Sequence, residues 1–175
     1  MNQSDFLKMV LPFKDKVFRL AKRLLVSTEE AEDATQELLF KLWKNKEKLT
    51  TYNNVEAFAM TMTKNYCFDR LKSKQASNLT LIHSNYKEKD TPLDQKIEER
   101  DSVAAVYRLM EQLPAQQKMI LQLRDIETYS FEEICKMLEM KPTAVRVALS
   151  RARKTIREAL LKQHNYGVSE HREHS

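Results

Sequence analysis

Over residues 6–25 apolar side chains recur at three- and four-residue spacing (Leu7, Val10, Leu11, Val17, Phe18, Leu20, Ala21, Leu24, Leu25), the period of a helix with one buried face. Pro12 lacks an amide donor and predicts a break near the start of that helix. Ser27 stands three residues before Glu30, the spacing of a capping box. The helix it opens is predicted to continue through Trp43 with Ala31, Ala34, Leu38 and Leu42 inward. Residues 45–54 are polar and aperiodic, which predicts a loop, and a helical pattern returns over 55–74 with Phe58, Met62, Tyr66 and Leu71. Residues 1–74 thus read as a bundle of three or four helices.

The stretch KQASNLTLIHSNYKEKDTPLD, residues 74–94, has no sustained period and contains Pro92. It predicts a linker over 75–94. Periodicity resumes over 95–113, Pro114 suits the first turn of a fresh helix, and further helices are predicted over 130–138 and 143–161. These make a second bundle over 95–163, with 164–175 left as a tail. Composition agrees, because one glycine and four prolines among 175 residues are too few for the turns of a sandwich or barrel, and good helix formers dominate. The expected fold class is all-α, two small helical domains joined by a flexible linker.

Candidate catalytic chemistry is sparse. His83, His164, His171 and His174 fall in the linker or tail, and Cys67 and Cys135 stand far apart inside helical runs. No nucleophile, general base or metal cluster assembles from spacing. The chain is therefore expected not to be an enzyme and to need no cofactor and no metal. Unpaired cysteines, the lack of a membrane-length apolar run and a start, MNQSDFLKMV, without signal-peptide regions point to a cytoplasmic location with no membrane insertion.

Charge sharpens the picture. The formal net charge is only +5, but residues 141–162 carry seven basic side chains against one acid, a concentration suited to an anionic partner. At about 100° per residue Val145, Leu149, Ala152 and Ile156 fall on one narrow apolar stripe. Arg146, Val147, Ser150, Arg151, Lys154 and Arg157 form the opposite arc. The preceding helix, with Phe131, Ile134 and Leu138 inward, is joined to this one by the short turn 139–141. Two short helices and a tight turn make a helix-turn-helix whose second helix can enter a major groove. A solvated basic face remains the plain alternative, and Glu139 stands where such turns often keep glycine.

The run LPAQQKMILQLRDIETYSFEEICKMLEMKPTAVRVALSRARKTIREAL, residues 113–160, resembles region 4 of extracytoplasmic-function sigma factors, the group 4 members of the sigma-70 family. STEEAEDATQELLFKLWK, residues 27–44, resembles sigma region 2.2, and AFAMTMTKNYCFDRLKSK, residues 57–74, resembles regions 2.3 and 2.4. The order and the linker fit. The resemblance implies a transcription initiation factor that binds core RNA polymerase, directs it to the −10 and −35 promoter elements and assists melting. It implies docking on the clamp helices of the largest polymerase subunit through Asp33, Gln36, Glu37 and Phe40, which share a helix side. For Glu29 and Glu30 a role at the helix dipole is the simpler reading. The −10 contacts carry over to Asn65, reading an unstacked base, with Tyr52 on the pocket wall and Lys64 and Arg70 on phosphates. Asn65 and Asp69 lie one turn apart and could instead bond each other. Thr61 replaces a frequent arginine, which puts a phosphate contact there in doubt.

The −35 contacts carry over to Arg146, Val147, Ser150 and Arg151, with Val147 suited to a thymine methyl. Lys154 belongs to the same arc, and Arg153 and Arg157 suit phosphates or an ion pair with a neighbouring helix. The expected partners are core polymerase, promoter DNA and an anti-sigma factor wedged between the domains. A stand-alone helix-turn-helix regulator is the alternative, and an adaptor meeting an acidic protein is a third reading.

Overall fold

The computed structural model describes the backbone of residues 1–81 and 98–170 and the side chains of residues 1–75 and 102–163. Helix α1 spans Gln3–Leu25, opened by Asn2, whose side chain accepts from the Asp5 amide at 2.9 Å. Pro12 lies inside α1, which continues through it without the break predicted. The reason is positional. Phe6, Val10, Phe13, Val17 and Leu20 are all buried along one side, so a break would pull that row apart, while Pro12 faces solvent, where water can serve the carbonyl it leaves unpaired. Leu7 and Leu11, apolar at the same period, are exposed on the flank.

Helix α2, Thr28–Lys44, buries Ala31, Ala34, Leu38 and Leu42 as expected. Its capping box is half made. Ser27 accepts from the Glu30 amide at 3.3 Å, but the Glu30 carboxylate turns to Lys74 at 2.7 Å and Arg70 at 3.4 Å. The predicted loop contains one helical turn, α3, Lys46–Leu49, pinned by buried Leu49. Helix α4, Val55–Leu81, runs beyond the expected boundary at Lys74. Its fully buried side chains are Ala59, Met60, Thr63 and Cys67, while Phe58, Met62, Tyr66 and Leu71 are half-buried. Because α4 packs on α1, α2 and α7, its apolar residues spread over several sides and its period is blurred. Most of the predicted linker lies outside the described residues.

The second bundle comprises α5 (Glu98–Glu111), α6 (Ala115–Leu121), α7 (Phe131–Leu138) and α8 (Pro142–Glu170). Helix α6 passes directly into a π turn, Gln122–Ile126. At α7 the capping box is complete, with Ser130 and Glu133 each accepting from the other's amide at 3.2 and 2.8 Å. Glu139 closes α7 in the left-handed region, φ 53° and ψ 41°, doing without glycine at a cost of about 1 kcal/mol. Helices α5, α6 and α7 pack on α8, and across the two bundles α1 meets α6 and α4 meets α7. The buried side chains form one continuous core. No strand occurs among the described residues, and no described helix is long and apolar enough to cross a membrane.

Candidate nucleic-acid interface

Helix α8 divides as its sequence predicts. Val145, Ala148, Leu149, Ala152 and Ile156 are buried, while Arg146, Val147, Ser150, Arg151, Lys154 and Arg157 are exposed. Val147 is 42% exposed, an unpaired apolar surface in the middle of a basic arc. The Arg146 guanidinium lies 5.4 Å from the centre of the Phe131 ring, and Arg124 lies 4.8 Å from the same ring. Both are within cation–π range, which limits how the two cations can swing. Arg124 also donates to the Tyr129 carbonyl at 2.7 Å. No periodicity marks Arg124, since only the fold brings it to Arg146. Arg153 turns away from the arc to Asp125, an ion pair that raises its pKa chiefly through the side-chain hydrogen bond.

On the first bundle, Asn65 is exposed beside a hollow of ≈ 220 Å³ lined by Leu38, Lys41, Met62, Tyr66 and Asp69. A second hollow of ≈ 240 Å³ shares Lys41 and Met62 and is walled by Tyr52 and Phe58, whose rings stack at 4.3 Å and 15°. Asn65 and Tyr52 therefore border one concave strip formed by the two adjoining hollows. Lys41, Lys48, Phe58 and Tyr66 join them there, and sequence reasoning passed them over. The spacing of 62, 65, 66 and 69 along one helix side was the available signal. Neither Asn65 nor Asp69 makes a side-chain hydrogen bond or ion pair among the described residues, so their mutual bond is not formed.

The two expected phosphate ligands are elsewhere. Lys64 donates to the Met137 carbonyl across the bundle interface at 3.3 Å, and Arg70 pairs with Glu30 at 3.4 Å. Thr61 bonds back to the Ala57 carbonyl at 2.9 Å, as threonines inside helices do.

On α2, Asp33, Gln36 and Phe40 are exposed, and Glu37 is half-buried and paired with Lys41 at 3.3 Å. The Phe40 ring is 59% exposed. On the second bundle α5, α8 and the π turn leave an apolar groove of ≈ 650 Å³, bordered by Val103, Tyr107, Ile126, Leu160 and Leu161. Among the described residues no three His, Cys, Asp or Glu side chains gather as a metal site would require. Cys67 is fully buried, and burial, assisted by Glu30, pushes its thiol up to about 12, which makes it a core residue rather than a nucleophile.

Comparison with known proteins supplies the context for these surfaces. The Sigma-70 region 2 model matches residues 9–77, and the Sigma-70, region 4 model matches residues 104–156. The RNA polymerase sigma-H factor of Pseudomonas aeruginosa is 27% identical over 165 residues, covering 87% of this chain and 84% of that protein. The ECF RNA polymerase sigma factor SigE of Mycolicibacterium smegmatis is 26% identical over 158 residues, covering 89% of this chain and 61% of that protein. Among solved structures, the sigma factor RpoE of Bartonella quintana, in complex with the anti-sigma factor NepR, shares the fold with a TM-score of 0.73 at 18% identity, over 89% of this chain and 96% of that one. With both regions matched in order over most of its length, this chain belongs to the extracytoplasmic-function group of the sigma-70 family of RNA polymerase sigma factors.

Proposed function

We propose that the chain is an alternative sigma factor that reads its promoter through two separate surfaces and docks on core polymerase through a third. As a sigma factor it acts in transcription initiation, not as an enzyme, and with polymerase in the cytoplasm. The α2 face of Asp33, Gln36, Glu37 and Phe40 is assigned to the polymerase clamp helices. The strip of Asn65 and Tyr52 is assigned to an unstacked base of the −10 element, where the amide can pair with a base edge and the stacked rings can take its face. Lys41 and Lys48 are the cations already beside that strip. Lys64 and Arg70 can reach phosphates only after leaving Met137 and Glu30. Arg146, Val147, Ser150, Arg151, Lys154 and Arg157 are assigned to the −35 element.

The observation that carries this reading is Phe40, an aromatic ring 59% exposed on an otherwise polar helix face. A stand-alone regulator that binds operator DNA has no need of such a face, whereas a large partner can bury the ring as an anchor. An anti-sigma factor is a further partner class, since the RpoE structure holds one. The apolar groove between α5 and α8 is a surface of the kind such a partner would cover.

The test is co-purification with core polymerase. Replacing Gln36, Glu37 and Phe40 together by alanine is expected to abolish it while helical content and thermal midpoint stay near wild type, because none of the three is in the core. Unchanged binding would place the docking surface elsewhere.

A further inference from the structure

The concave strip between α2 and α4 has two compartments, whereas the −10 reading above places one base there. The first hollow, ≈ 220 Å³, is bordered by Asn65, Tyr66 and Asp69, and the second, ≈ 240 Å³, by Tyr52, Phe58 and Lys48. A flat ring system of about ten heavy atoms fills on the order of 150 Å³ at interior packing density. Either hollow therefore has volume for one base, and neither for two. Lys41 and Met62 border both. Taken at the helical rise, the residues around the two hollows are displaced from each other by about 8 Å along α4 and about 5 Å along α2. Neighbouring bases stacked in a strand lie about 3.4 Å apart, and unstacked ones roughly twice that. The displacement suits two consecutive nucleotides that no longer stack.

We propose that the strip holds two consecutive unstacked nucleotides, one base in each hollow, and that Asp69 makes the first hollow selective for a base with an exocyclic amino group. The inference rests on the −10 reading above. Asp69 is exposed and makes no side-chain hydrogen bond or ion pair among the described residues. A lone carboxylate repels phosphate and only accepts hydrogen bonds, so its fitting partner in a nucleic-acid strip is the amino group of cytosine or adenine. Thymine and guanine present a carbonyl at that place, which Asp69 rejects. Asn65, one turn earlier, can donate its amide to the adjacent ring nitrogen of either amino base. The second hollow works by surface instead. One face of the Tyr52 ring is taken by Phe58, and the ring is still 42% exposed, leaving surface on which a base of any identity can stack. Lys41 stands on the shared border, where the phosphate joining the two nucleotides would pass. Its present partner is Glu37 at 3.3 Å, an exposed pair one helical turn apart, which is worth little and is readily exchanged for phosphate.

The test uses holoenzyme on a promoter it transcribes, pre-melted over the −10 element, with an abasic site placed at each non-template position in turn. Two adjacent positions are expected to lose about tenfold in affinity each, the scale of one base's stacking. Tyr52→Ala should abolish the sensitivity at one of the two and leave the other. At that other position cytosine or adenine should be preferred. Asp69→Asn keeps the size of the side chain and adds an amide donor, so it should move the preference there toward thymine or guanine. Circular dichroism establishes that both variants remain folded. An unchanged preference, or a loss shared equally by all four bases, overturns the selection assigned to Asp69. Sensitivity at a single position, or at two that are not adjacent, overturns the two-nucleotide inference while the single-base −10 contact stands. If the holoenzyme transcribes and no abasic site weakens binding, the −10 reading of the strip fails, and this inference fails with it.

Discussion

Arg153 is forked onto Asp125, with Nε 3.0 Å from Oδ2 and Nη2 2.5 Å from Oδ1. That ion pair joins α8 to the π turn and takes one guanidinium out of the basic run. The side chain is half exposed, so Arg153→Ala is expected to cost under about 1 kcal/mol in denaturant unfolding. Base preference at the −35 element should not change. A loss of preference would mean that the pair opens on DNA and that Arg153 reads bases after all.

Arg151 and Arg157 are both exposed on α8, yet they are expected to differ in kind. Arg151→Ala should cost roughly 1–3 kcal/mol and flatten preference at one −35 position, whereas Arg157→Ala should weaken all sequences alike and lower the salt slope by about one. Val147→Ser should shift preference at its own base with little change in salt dependence, because a hydroxyl cannot replace apolar contact with a thymine methyl. Holoenzyme binding to a randomised −35 library at several salt concentrations measures all three. Uniform loss in every variant would reduce the arc to an electrostatic footing.

The Asn65 side chain makes no hydrogen bond among the described residues, so its replacement should leave stability nearly unchanged. Asn65→Ala is expected to impair transcription from a duplex promoter more than from one with a pre-melted −10 bubble, if capture of the separated strand is its task. Wild-type activity on both templates would remove it from the −10 contacts.

Much of the architecture was legible in the sequence because helices with one buried side write their period into it. Ala31, Ala34, Leu38 and Leu42 on α2, and Val145, Leu149, Ala152 and Ile156 on α8, are inward in the structure as the spacing requires. Helix α4 was less legible, since three neighbours share it and Ala59, Thr63 and Cys67 carry little hydrophobic signal. Pro12 misled for a related reason: a proline on the wet side of a helix can be tolerated when the opposite side is held by a packed row.

The chain by itself determined which residues form the basic arc of α8 and the polar face of α2, because both depend on local spacing and helix geometry. Which cations are free to meet DNA was decided only by tertiary structure. Arg70 pairs with Glu30, Lys64 with a carbonyl of α7, Arg153 with Asp125, and Arg124 is brought beside Arg146 on one aromatic ring. Lys64 and the Met137 carbonyl it meets are 73 residues apart along the chain. A one-dimensional pattern records that a residue is charged and which side of its own helix it occupies, but its partner is fixed by how separate helices pack, and that packing sets whether the charge is spent inside the fold or left for a ligand.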